Sequence, residues 1–326
     1  MTRRRTQRIR RFILAWALGG VCVLAVAQPY PARPIRLIIA IGAGGLADVV
    51  TRTVTDRMGP ALGQPFVLEN RPGAGGNLAM EAVARAAPDG YTLLFIGPAL
   101  TINGALYAKL GFDPIKDLAP VGLIAWGPYA LFVSATTPVQ SVSDLIAFAK
   151  AKGAAINYAS VGVGTGGHLA AVLFGQAVGV EMTHVPYKSI QQAIPDLISG
   201  QVQLVFNAYP PLAPFRASGK LRLLGFTGPK RMSGYADVPT VAELGVPGYE
   251  ATGWYGIFAP SGTPAEVMSR LNKSLVATLA EPDVIAAIEK VGFEMSPQTL
   301  DEAARFIVRE ADKWGRAVRS SGATPQ

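Results

Sequence analysis

The chain has 326 residues, half of them hydrophobic, enough for a large core and, at this length, for a split into two domains. Its formal charge of +8 is concentrated at one end: of 30 basic residues, Arg3, Arg4, Arg5, Arg8, Arg10 and Arg11 stand at the N-terminus with no acid near them, leaving 24 against 22 acidic residues. That near balance, with no basic cluster, gives no ground for nucleic-acid binding, and two histidines with one cysteine are too few for the usual metal site.

The arginines precede an uncharged apolar run from Phe12 to Val26 that ends in Ala25-Val26-Ala27. This pattern predicts a signal peptide over residues 1–27, cleaved before Gln28, and the run is too short to span a bilayer comfortably. Export to the periplasm follows, with the general pathway favoured over the twin-arginine route that Arg10-Arg11-Phe12 leaves open. Cleavage also removes Cys22, so the mature chain carries no thiol to pair in an oxidising compartment.

The mature chain opens with a strand, Ile35 to Ala40, a glycine turn and a helix from Leu46 to Leu62. The apolar runs Pro65 to Leu68 and Tyr91 to Ile96 flank a helix from about Asn77 to Ala87, closed by Pro88-Asp89-Gly90. That is a βαβαβ start on a parallel sheet. Val121 to Val133, interrupted by Gly127-Pro128, reads as a strand crossing between domains and is followed by a helix from Ser143 to Lys152. A second α/β series runs Ile156 to Ala159, His168 to Val178, Glu181 to Val185, Ile190 to Ser199 and Gln203 to Phe206. The Pro- and Gly-rich segment Arg231 to Tyr249 and the strand Trp254 to Phe258 form the return crossing, and helices over Pro264 to Leu279 and Leu300 to Ser320 pack back on the first domain. The expected architecture is α/β with two lobes, each a mostly parallel sheet flanked by helices, joined by two crossover strands. Residues 28–126 and 249–326 form lobe I and 127–248 form lobe II, with a hinge and a cleft between them.

In open α/β sheets ligands sit where strand ends lead into helix N-termini. The first such loop is Gly42-Ala43-Gly44-Gly45-Leu46-Ala47-Asp48, whose backbone N–H groups can approach an anion. Ala47 stands at the third glycine position of a dinucleotide fingerprint, and Asp48 can face the loop or equally serve as an acid in the first helical turn. The facing loop is Gly162-Val163-Gly164-Thr165-Gly166-Gly167-His168, where Thr165 is an N-cap or a ligand donor and His168 a capping or ligand-facing residue. Gly97, Pro98 and Ala99 follow the third strand, Lys188 is a candidate counter-charge, and Asn207 closes the last strand of lobe II. Asn77 either lines the cleft or shapes its turn. No nucleophile-elbow serine accompanies the two histidines, which argues against an enzyme, and no cofactor is expected.

Seven runs appear in order: Tyr30-Pro31-x-Arg33-Pro34-Ile35, Glu69-Asn70-Arg71-Pro72-Gly73-Ala74-Gly75-Gly76-Asn77, Ala87-Pro88-Asp89-Gly90-Tyr91-Thr92-Leu93, Asn157-Tyr158-Ala159-Ser160, His184-Val185-Pro186-Tyr187-Lys188, Asp237-Val238-Pro239-Thr240-Val241 and Ala259-Pro260-x-Gly262-Thr263-Pro264. Over essentially the whole mature chain they resemble the tripartite tricarboxylate transporter substrate-binding proteins, also called Bug receptors. The resemblance implies a Venus-flytrap fold of the type II periplasmic class, a small organic carboxylate as ligand and a two-component membrane permease as partner. It puts Gly44, Gly45 and Asp48, and Gly164, Thr165 and His168, in register with the family's binding loops. Three departures stand out: Ala43 where proline is common, Leu46 and Ala47 where Ser or Thr is common, and Asn207 where aspartate is frequent. They disfavour an amino acid and favour a mono- or dicarboxylate with an apolar or aromatic body. A periplasmic sensor subunit for a receptor kinase would use the same cleft. A monomer is expected, because both lobes must move.

Overall fold

The computed structural model describes residues 30–42, 46–107, 109–152 and 155–324. The signal peptide predicted over 1–27, with Cys22, lies outside the described residues, as do Ala43, Gly44 and Gly45 of the first glycine loop. Within the compact unit Arg33–Gln326, β1 (Ile35–Ile39) leads to α1 (Leu46–Leu62), β2 (Phe66–Asn70), α2 (Asn77–Ala84), β3 (Thr92–Ile96) and α3 (Ala99–Leu106). Then follow β4 (Leu118–Pro128), β5 (Ala130–Ser134), α4 (Val142–Lys152), β6 (Asn157–Ser160), α5 (Gly166–Val178), β7 (Thr183–Pro186), α6 (Ile190–Ser199) and β8 (Leu204–Asn207). The remainder is α7 (Ala213–Ala217), β9 (Leu221–Phe226), β10 (Thr252–Pro260), α8 (Ala265–Thr278), α9 (Pro282–Lys290), β11 (Glu294–Met295) and α10 (Leu300–Ser321).

The strands form a six-stranded sheet in the order β11-β4-β10-β3-β1-β2 and a five-stranded sheet in the order β7-β6-β8-β5-β9. Parallel pairing is confined to one flank of each, β2-β1-β3 and β7-β6-β8. The buried strand β1 shows why: Ile35, Leu37, Ile38 and Ile39 are all fully covered, as a parallel strand with helices on both faces must be. The other pairings are antiparallel, so both sheets are mixed. They come from the strands that travel between the sheets. β4 and β10 run side by side from Thr252↔Pro128 to Pro260↔Leu118.

The interrupted run read as one crossing strand is two strands in different sheets, β4 and β5, with only Tyr129 between them. Thr227, fully buried after β9, ties that crossing to the return. Its N–H donates to the Tyr129 carbonyl at 2.9 Å, its Oγ1 accepts from the Tyr129 N–H at 2.8 Å, and its carbonyl accepts from the Ala251 N–H at 2.9 Å. The same hydroxyl donates to the Ala251 carbonyl. One side chain thus holds both crossings together.

The C-terminal helices depart from expectation in one respect. Helix α8 packs on α1 and β4, whereas α10 lies against α3 and β4 and also against α5 of the second sheet. Trp314, Ala317 and Val318 of α10 share a core cluster with Ile102 and Leu106 of α3, with Leu169 and Phe174 of α5 and with Phe206 of β8. The helix is long and amphipathic enough to cover both, and Thr299 and Glu302 close its N-terminus with a reciprocal capping box.

Candidate functional site

Between the two sheets, where the crossings pass, lies a cavity of about 150 Å³. Tyr129, Asn207 and Tyr209 reach it from the second sheet, and Pro98, Trp254 and Phe293 from the first. A wider groove of about 950 Å³ runs along the flank of the second sheet, between α5, β7 and the C-terminal residues Ser320–Thr324. Only the smaller cavity is bounded by both sheets.

Helix α5 begins beside it. Thr165 occupies its N-cap position, but its hydroxyl donates to the Gly162 carbonyl at 2.7 Å instead of capping the helix. The first N–H groups of a helix have no intrahelical acceptor, and this holds for Gly166 and Gly167. The contact with the cavity wall is close: a Cβ on Gly166 would fall 1.8 Å from the Tyr129 hydroxyl, and one on Gly167 would fall 2.3 Å from the Phe206 carbonyl oxygen. Only glycine allows this approach. The sequence places both glycines in the facing loop, but neither was among the candidate ligand-binding residues, although counting one and two positions past Thr165 identifies them.

The predicted loop residues are bonded mainly to one another. The Gly162 N–H donates to Ser160 Oγ at 3.1 Å, and the Gly164 N–H donates to His168 Nδ1 at 3.0 Å. Gly164 sits at φ +74°, and a Cβ there would meet a Leu106 methyl at 2.4 Å, so this loop rests on the end of α3. His168 is 4% exposed and stacks on His184, ring centroids 4.0 Å apart, above Tyr158. Ser160 Oγ and His184 Nε2 share a hydrogen bond of 2.6 Å. Burial pushes both imidazoles down to about 4, and His184 depresses His168 further, so both rings are neutral at neutral pH. An accepting Nδ1 requires the same of His168. His168 is therefore a positioning residue that fastens the Gly162–Thr165 loop to α5.

On the first sheet, Gly42 is exposed, Ala47 is buried, and Asp48 is 8% exposed and paired with Arg52 at 3.0 Å. At Gly97, Pro98 and Ala99 the turn into α3 spends its donors internally: the N–H of Leu100 donates to Gly97, and those of Thr101 and Ile102 to Pro98. Asn77 Oδ1 accepts from Asn103 at 2.8 Å and shapes its turn. Lys188 is exposed ahead of α6 and lines neither cavity. Asn207 lines the inter-sheet cavity, its amide 3.5 Å from the Ala208 carbonyl. Among the described residues no cluster of three metal-ligating side chains occurs, and no helix is long and apolar enough to cross a membrane.

Residues 50–323 match the family model described as the tripartite tricarboxylate transporter family receptor. Three solved structures align over nearly the whole chain. R. palustris Rpa4515 with adipate is 34% identical, with a TM-score of 0.77, over 91% of this chain and 100% of that one. The periplasmic binding protein BugD is 31% identical at 0.74, over 91% and 100%. MatC from Rhodopseudomonas palustris with bound malate is 30% identical at 0.74, over 89% and 100%.

Proposed function

Because the chain belongs to the tripartite tricarboxylate transporter family of receptors, we propose that it is a periplasmic receptor that captures a small organic carboxylate between two lobes and delivers it to a two-component membrane permease. The observation that carries this reading is the uncapped N-terminus of α5 beside a cavity bounded by both sheets. A carboxylate there would take the N–H groups of Gly166 and Gly167 and the favourable end of the helix dipole. From the other side it would meet Pro98, where α3 begins. The adipate and malate held by two similar proteins support a carboxylate.

The lobes in this reading are residues 28–126 with 249–326, and 127–248, hinged at the two crossings that Thr227 joins. The signal peptide over 1–27 would direct export. Asn207 in the cavity offers no charge to a ligand ammonium, so acids are preferred to zwitterionic amino acids. A thermal-shift screen of the purified protein against mono-, di- and tricarboxylates, aromatic acids and amino acids tests this. A ligand at ~100 times its Kd that binds only the folded state adds ~2.7 kcal/mol. Hits confined to acids support the receptor; tighter binding of amino acids would refute the preference, and silence across the panel would refute the carboxylate.

A further inference from the structure

The inter-sheet cavity constrains the body of the ligand as well as its charged end. Six side chains make most of its wall: Tyr129, Asn207, Tyr209, Trp254, Tyr255 and Phe293, and no lining residue is charged. The aromatic walls are fixed from behind. Trp254 is fully buried and its Nε1 donates to Glu310 at 3.2 Å. The Tyr209 hydroxyl accepts from Arg216 at 3.2 Å, while its ring packs on Tyr235 at 4.7 Å and Phe132 at 5.9 Å. Tyr255 stacks on Phe95 at 5.2 Å and meets Phe293 at 5.3 Å. Such walls are preorganised for an apolar body and lose little freedom when one enters.

Size narrows the choice. A cavity of about 150 Å³ holds a single benzene-sized ring, and this cavity measures about 150 Å³. Charge narrows it further. One end abuts Gly166 through the Tyr129 hydroxyl, next to the helix N-terminus, whereas the remaining wall has no cation. A second carboxylate on the same ligand would be buried there unpaired, at a cost of several kcal/mol. We infer that the ligand is a monocarboxylate carrying one uncharged ring, of the benzoate or cyclohexanecarboxylate class, with its carboxylate at the start of α5 and its ring in the inter-sheet cavity. This rests on the receptor reading above and goes beyond it, since the similar proteins hold dicarboxylates.

Calorimetric titration of the purified protein with benzoate, cyclohexanecarboxylate, adipate and malate tests it. The two ring acids should bind at least tenfold tighter than either dicarboxylate. Adipate or malate binding tighter would overturn this inference and leave the receptor reading standing; failure of all four and of every other carboxylate would overturn both. Ala208→Leu, which fills the cavity, should weaken benzoate at least tenfold. Asn207→Asp, which adds a negative charge without adding volume, should do the same, and serves as the readout where the larger leucine disturbs folding. Benzoate affinity unchanged in Asn207→Asp would show that the ring sits elsewhere.

Discussion

Gly166 has no room for a methyl group, since its Cβ would overlap the Tyr129 hydroxyl. Gly166→Ala should therefore push Tyr129 into the cavity, cost about 1–3 kcal/mol by overpacking, and weaken carboxylate binding at least tenfold. Tyr129→Phe added to it should restore part of the melting temperature. A single variant that melts and binds like the parent would show that the contact is loose in solution. The stacked histidines yield a second expectation. His168 and His184 titrate near 6.5 when exposed and near 4 in the native chain, so the unfolded chain takes up protons first as pH falls. Stability is full above about pH 6.5 and is lost down to about pH 4, on the order of 3 kcal/mol for each ring. His184→Gln keeps a partner for Ser160 without titrating and should flatten the fall in melting temperature between pH 6.5 and 4.5 by about half. An unchanged slope would assign the effect to carboxylates instead. At this scale the sequence shows the glycines and the helix start after Thr165. It does not show the Ser160–His184 bond, because that contact depends on the β6–β7 register.

Among the elements, the crossings carry the most consequence. Thr227 offers its N–H, carbonyl and hydroxyl to Tyr129 and Ala251, one on each path between the sheets. Thr227→Val keeps the shape and removes the hydroxyl, leaving the Tyr129 N–H without its acceptor. The expected loss is about 1–3 kcal/mol, read by denaturant melts, together with faster hydrogen exchange at Tyr129 and Ala251. Exchange confined to other segments would place the hinge elsewhere. The crossing at Gly127-Pro128 was legible from the break in an apolar run, and strongly periodic helices such as α10 were legible almost to the residue. Helix α3 was not. Its sequence, Ala99 to Leu106, is buried on most of its surface, with α10 as its main cover, so no amphipathic period marks it. Strand β9 was hidden for a related reason: Arg222 and Gly225 break its alternation, although its other residues are mostly buried. Helix α9 carries a readable signal in Pro282-Asp283, a helix-start pair, although only the helices on either side of it were expected.

For the whole molecule, the question is whether the two sheets unfold separately. Chain order made two lobes readable, yet it could not show that α10 would be shared, because the side of a C-terminal helix that meets a distant element is fixed only by packing. The shared parts are specific. Glu310, 4% exposed, accepts from Trp254 Nε1 at 3.2 Å on the return crossing and from Trp314 Nε1 at 2.8 Å within α10, and its charge is met by Lys313. Trp314 in turn is fully buried in the cluster that contains Phe174 of α5 and Phe206 of β8. A buried carboxylate with three partners resists loss of any of them, since losing Lys313 leaves its charge unpaired and losing either indole leaves it short of a hydrogen bond. The lobes are thus coupled through one helix, and calorimetry should record a single transition with van't Hoff and calorimetric enthalpies in agreement. Trp314→Ala should cost about 3–5 kcal/mol and lower that transition as a whole. Two resolved transitions in the parent protein, or a loss in Trp314→Ala confined to one of them, would mean that α10 belongs energetically to one lobe and only leans on the other.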